Sequence, residues 1–203
     1  MSKRLILASS SLSRKTIMEN SGIDFFIVKP NVDEREIEKT IDLSERKRTE
    51  RIALILAEKK ALEVSNRYPE HVVIGCDQTM SLGNYIYHKP TTMLEAEENL
   101  LKLSGKKHRI GSAYVIVKNG EVLRSHISVS QLTMYKFSKG FIKDYLKKIG
   151  EKALLSVGSY QIDKEGIKLF SSIKGSYFSI VGLPIVELIS DLRREKVINH
   201  FSG

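Results

Sequence analysis

Only one cysteine, Cys76, occurs in the 203 residues. That excludes an internal disulfide framework and fits a reducing cytosol, so a cytoplasmic location is expected. Long apolar runs are missing as well. None approaches the roughly 20 residues of a membrane span, and the run after Lys3 and Arg4 is too short for a signal peptide. No segment repeats at helical or propeller length. No basic tail of low complexity is present, which argues against a disordered nucleic-acid arm. The glycines and the Gly-Lys-Ser/Thr ending of a Walker A loop are absent. His108 and His126 lie in strand-like runs without metal-ligand spacing and read as sheet residues. What is present is a folded composition, with 41% hydrophobic and 28% charged residues. The net charge of +9 calls for acidic partners such as nucleic acid, nucleotides or anionic lipid.

The most informative stretch is Leu5-Ile6-Leu7-Ala8-Ser9-Ser10-Ser11-Leu12-Ser13-Arg14-Lys15. Its apolar start reads as a buried strand. The serines form a turn, and a helical pattern opens after them with Arg14 and Lys15 in its first residues. A helix N-terminus attracts anions, whereas basic side chains there oppose the dipole and need another reason. A bound phosphate supplies one; a plain cap by Ser11 or Ser13, with both basic residues solvated, is the competing reading.

Phe25-Phe26-Ile27-Val28 reads as a second strand. Asp33-Glu34-Arg35-Glu36 then reads as a solvated loop, with paired carboxylates able to hold a divalent metal as the alternative. Residues 43–67 carry the longest helical pattern, and Lys60 lies at the margin of its apolar stripe, where snorkelling is the plain role. A strand over residues 71–76 ends in Asp77-Gln78-Thr79. An acid at the carboxyl end of a buried strand occupies a favoured catalytic position, though turn aspartates are also common. Cys76 reads as a small core residue. A short strand at Tyr85–Tyr87 meets His88-Lys89-Pro90, and Thr92-Met93-Leu94-Glu95 has capping-box spacing for a helix through Leu103. Two long strands, 107–118 and 121–135, flank the hairpin signal Asn119-Gly120. Ser138 caps a helix through Ile149, residues 166–172 and 176–181 look like strands, and Pro184 launches a last helix. Residues 200–203 should fray. Together these give a mixed α/β fold: a twisted sheet of at least five strands, flanked by helices, in two lobes that share it.

Several separated pieces resemble the Maf family of septum-formation-protein-like nucleotide pyrophosphatases. They are Leu7-Ala8-Ser9-Ser10-Ser11-Leu12-Ser13-Arg14, Leu56-Ala57-Glu58-Lys59-Lys60-Ala61, Gly75-Cys76-Asp77-Gln78, His88-Lys89-Pro90, Leu103-Ser104-Gly105-Lys106-Lys107-His108 and the stretch from Gly175 to Pro184. Leu12 departs from the family's usual proline, and Ser13 stands where its branches carry arginine or tryptophan. The resemblance implies one domain over residues 1–203 with the inosine-triphosphate-pyrophosphatase type of fold. It implies hydrolysis of a nucleoside triphosphate to monophosphate and pyrophosphate, with Asp77 as proton acceptor. Ser9, Ser11, Arg14, Lys60 and Lys89 would bind phosphate. Glu34 and Asp77 would hold a divalent metal, magnesium or manganese, and Asp77 could serve as base or as ligand. Ser13, Gln78 and Asp163 occupy the selective positions. Gln78 and an acid at Asp163 side with the branch that prefers 7-methyl-GTP over the one that prefers dTTP and UTP. A homodimer is common for such folds, and neither a membrane nor a stable nucleic-acid complex is implied.

Two other classes compete with this reading. A phosphatase using Asp77 as nucleophile normally has a second aspartate two residues on, where this chain has Thr79. A basic nucleic-acid-binding module without catalysis has the charge in its favour, but no recognition aromatics or zinc spacing.

Overall fold

The computed structural model describes residues 5–41 and 48–199. Next to one edge of its sheet lies β1 (Leu5–Ala8), buried at every residue and paired in parallel with β2 (Phe26–Val28) on one side and β3 (Val72–Leu82) on the other. Beyond β3 the sheet turns antiparallel, through β5 (Lys107–Lys118) and β6 (Glu121–Met134) to β7 (Phe170–Lys174). The predicted hairpin lies at its predicted place, with Asn119 and Gly120 both at positive φ, as the tight turn requires. A seventh strand, β4 (Tyr85–Tyr87), pairs with the far end of β3.

The registers leave a notch in this sheet. Pairing between β1 and β3 stops at Ala8 opposite Gly75, and pairing between β4 and β3 begins only at Met80 opposite Tyr87. Across residues 76–79, among the described residues, β3 pairs with β5 alone. Asp77 is therefore not at the end of its strand, as the sequence suggested. It lies within an 11-residue strand whose apolar start runs on into polar residues facing the notch.

Helix α1 (Leu12–Asn20) and α7 (Ile185–Arg194) cover one face of the sheet, through a core that includes Leu7, Ile17, Met18, Ile74, Tyr114, Leu188 and Leu192. Helix α3 (Arg48–Arg67) covers the other with a stripe of small residues, Ala53, Ala57 and Ala61. This allows very close approach: a Cβ on Gly75 would lie 2.0 Å from Ala57 O. Side chains alternate along a strand, so Gly75 and Asp77 face the same helix. Around the far half of β3, a separate core includes Met80, Leu100, Leu103, Leu132, Ile142 and Leu146 and is built partly by α4 (Met93–Leu103) and α5 (Lys139–Ile149).

Three further expectations need correction. Residues 34–40 form a helix, α2 (Glu34–Thr40), not a loop; Asp33 caps it by accepting from the Glu36 N–H, and Glu34 and Glu36 in the first turn suit its dipole. No α2 residue is buried, so no apolar period announced it. Residues 176–181 are not a strand but contain the short helix α6 (Tyr177–Val181), set between Gly175 and Gly182, both at positive φ. Gly175 also permits a close crossing, since a Cβ there would lie 2.2 Å from Ser130 Oγ. The strand expected over 166–172 is split between a 3₁₀ turn, Glu165–Leu169, and β7. The start of the helix expected from residue 43 and the fraying expected at 200–203 fall outside the described residues.

Candidate active site

A cleft of about 500 Å³ opens at the notch. Ser9, Ser11, Ser13, Arg14, Glu34, Lys60, Asp77, Gln78, Lys89 and Asp163 all line it, although they come from six separate stretches of chain. Asp77 is 6% exposed and Lys60 5%. Close docking of α3 on Gly75 brings them together, with Lys60 Nζ donating to Asp77 Oδ1 at 2.5 Å. The same Nζ lies 2.6 Å from Glu34 Oε1, at the start of α2. Lys60 is thus no snorkelling surface residue; its charge sits between two carboxylates. Burial pushes the Asp77 carboxyl above its ordinary range, against the pull of Lys60 and Arg14, and Glu34 adds to the upward push.

The serine turn shapes the opposite wall. Ser9 Oγ accepts from the Ser11 N–H at 3.2 Å, and Ser11 Oγ caps α1 by accepting from the Arg14 N–H at 3.4 Å. Arg14 folds back over the notch. Its Nη1 donates to Cys76 O at 2.8 Å, a carbonyl in the stretch of β3 that lacks a second strand, and its Nε donates to Gly182 O at 3.0 Å. The guanidinium is thereby held beside Asp77, whose pKa it pulls down. Lys15 points elsewhere, 3.6 Å from Glu19, and does not line the cleft. Cys76 is fully buried, and burial raises its thiol pKa to about 11, so it is a core residue and no nucleophile.

Gln78 Nε2 shares its two protons among Ser112 Oγ at 2.8 Å, Ser179 O at 2.9 Å and Ile180 O at 3.0 Å. Asp163 and Ser13 are exposed on the rim, and so is Lys89. The loop carrying Asp163 is anchored through Tyr160, whose buried hydroxyl lies 2.7 Å from His108 Nε2.

Sequence reasoning passed over Glu38. It lines the cleft from α2, 3.7 Å from His88 Nε2, and its carboxyl is raised chiefly by burial, with Asp77 and Glu34 adding to the shift and His88 opposing it. The capping pattern Asp33-x-x-Glu36 was the one signal that could have placed Glu38 on a helix.

Fold and cleft define a class of molecule: a mixed α/β protein whose sheet is interrupted around a buried lysine–aspartate pair, with an arginine clamped beside it. Its narrower kinship follows from sequence comparison. The Maf-like protein family model matches residues 4–195, and the chain belongs to the Maf family. The 7-methyl-GTP pyrophosphatase of Brucella abortus biovar 1 (strain 9-941) is 46% identical over 199 residues, covering 98% of this chain and 100% of that protein. The 7-methyl-GTP pyrophosphatase of Mesorhizobium japonicum is 48% identical over 193 residues, 95% of this chain and 96% of the relative. The nucleoside triphosphate pyrophosphatase of Rhodopseudomonas palustris (strain BisB18) is 38% identical over 197 residues, 97% and 96% of the two chains.

Proposed function

We propose that this protein hydrolyses 7-methyl-GTP to the monophosphate and pyrophosphate. The observation that carries the reading is Asp77, buried at the notch with Lys60 on one oxygen and Arg14 clamped alongside. Water attacks the α-phosphorus, its proton passes to an Asp77 oxygen, and the bond from the α-phosphorus to the bridging α,β oxygen breaks. A raised carboxyl is a better base near neutrality than an ordinary one. Arg14 and Lys89, with Lys60 behind Asp77, oppose the negative charge that builds on the departing pyrophosphate. Ser9 and Ser11 shape the turn against which the phosphates rest.

Glu34 and Asp77 fit a divalent cation by their donor chemistry. Both carboxylates already converge on one cationic atom, Lys60 Nζ. Magnesium binds through one or two carboxylates, with waters and substrate phosphates completing its shell. A bound magnesium or manganese ion would neutralise phosphate oxygens.

At the base end, Gln78 and Asp163 offer acceptors to guanine's N1–H and amino group, and Asp163 favours the positive charge of a 7-methylated base. Relatives at 46% and 48% identity that bear the 7-methyl-GTP name support this choice. The site residues, a single domain over residues 1–203, a cytoplasmic location and the absence of a stable nucleic-acid complex belong to the same reading. Among the described residues no helix is long and apolar enough to cross a membrane. A nucleotide panel scored for pyrophosphate release tests the proposal. With magnesium or manganese present, kcat/KM should be highest for 7-methyl-GTP. A preference for dTTP or UTP of about tenfold or more would move the chain to the other branch; salt-sensitive nucleic-acid binding without turnover would remove the enzyme reading.

A further inference from the structure

Three acceptors surround the amide nitrogen of Gln78. Two are the main-chain carbonyls of Ser179 and Ile180, which cannot donate. The third is Ser112 Oγ, whose single proton is already given to Ser179 O at 2.5 Å, so towards Gln78 it too can only accept. This removes the usual ambiguity between amide oxygen and nitrogen. Turned over, Oε1 would face three acceptors and Nε2 would lose all its partners. Meanwhile Oε1 takes no hydrogen bond from any described residue, and it belongs to a half-buried side chain on the cleft wall.

We infer that Ser112, a fully buried residue of β5 outside the cleft lining, is a positioning residue for substrate selection: with the last carbonyls of α6 it holds Gln78 so that only an acceptor reaches the nucleobase. This deepens the 7-methyl-GTP reading and rests on it. Guanine presents two adjacent donors, N1–H and the 2-amino group. Uracil and thymine present one N–H between two carbonyls, and those carbonyls meet no donor from a locked Gln78. Selectivity then depends on a hydroxyl the nucleotide never touches. Without it, Nε2 keeps only the carbonyls of one five-residue helix, and the amide is free to drift with that helix.

The test is steady-state pyrophosphate release from 7-methyl-GTP and UTP by the whole protein, wild type and Ser112→Ala, each also carrying Gln78→Leu. Ser112→Ala should raise KM for 7-methyl-GTP about tenfold, leave kcat within about twofold, and shrink the preference over UTP by a similar factor. In the Gln78→Leu background the same substitution should change neither parameter, because the residue it positions is gone. An unchanged preference in Ser112→Ala, or an equal loss in the Gln78→Leu background, overturns the inference. If the alanine variant does not fold, Ser112→Cys, close in volume but a weak hydrogen-bond partner, is read by the same criteria. Wild-type enzyme without a preference for 7-methyl-GTP overturns the substrate reading itself, and Ser112 with it, before any variant is made.

Discussion

Lys60 and Asp77 are two halves of one device. Replacing Asp77 by Asn removes the proposed base and keeps the shape, so turnover should fall by about 10²–10⁴ with little change in melting temperature. Lys60→Ala is a different experiment. It leaves a buried carboxylate without its hydrogen-bonded cation, which costs several kcal/mol when the acid stays charged. Asp77 can escape by binding a proton, because Lys60 is the strongest influence holding its pKa down. The acid limb of the kcat/KM profile should therefore move to higher pH in Lys60→Ala, and the melting temperature should drop. Adding Asp77→Asn should recover much of that loss, as a double-mutant cycle would show. A Lys60→Ala enzyme with the wild-type pH profile would contradict the pairing. The ingredients of this device were legible in the sequence: Arg14, Lys60, Asp77 and Gln78 each stand in a recognisable motif. Their mutual distances were not, because these depend on how closely α3 docks on Gly75, a tertiary fact.

At the scale of elements, the five residues of α6 do more than their length suggests. Its C-terminal carbonyls hold Gln78, and the carbonyl of Gly182, which ends it, holds Arg14. The proposed phosphate clamp and base reader thus hang from one turn of helix. Gly182 sits at φ 141°, a conformation side chains rarely adopt, and a Cβ there would lie 3.5 Å from the Arg14 side chain. Gly182→Ala should raise KM for 7-methyl-GTP and also weaken inhibition by pyrophosphate, since both ends of the site shift together. A change in one without the other would separate the two attachments. This helix was also where sequence reading failed. A six-residue apolar stretch cannot be told from a strand by period, and the flanking glycines bend the chain in ways only neighbours such as Ser130 explain. Helices α1, α4 and α5, by contrast, were legible because serine or threonine caps and longer apolar stripes agreed.

For the whole molecule, acid stability should follow His108. This ring, carried by β5, is fully buried against Tyr160, and burial lowers its pKa from 6.5 to about 4. Between those values the unfolded chain binds a proton the native ring refuses. The contribution is complete above pH 6.5 and is lost as pH falls through the window, by up to about 3 kcal/mol. Melting temperatures at pH 7 and pH 5 should differ less in His108→Gln than in wild type, where the titrating ring is present. The broad architecture that houses this residue, a long hairpin added to an early alternation of strands and helices, was readable from turn chemistry and period. The notch was not, since it depends on where β1 stops and β4 starts against β3. That gap has a consequence for how the molecule breathes. Amides of residues 76–79 that face away from β5 have no strand to shield them, so they should trade hydrogen for deuterium faster than their neighbours on β3. A nucleotide bound as proposed would take the place of the missing strand. Its binding should slow that exchange over 75–80 even in Asp77→Asn, leaving a protection footprint of occupancy where no product is formed.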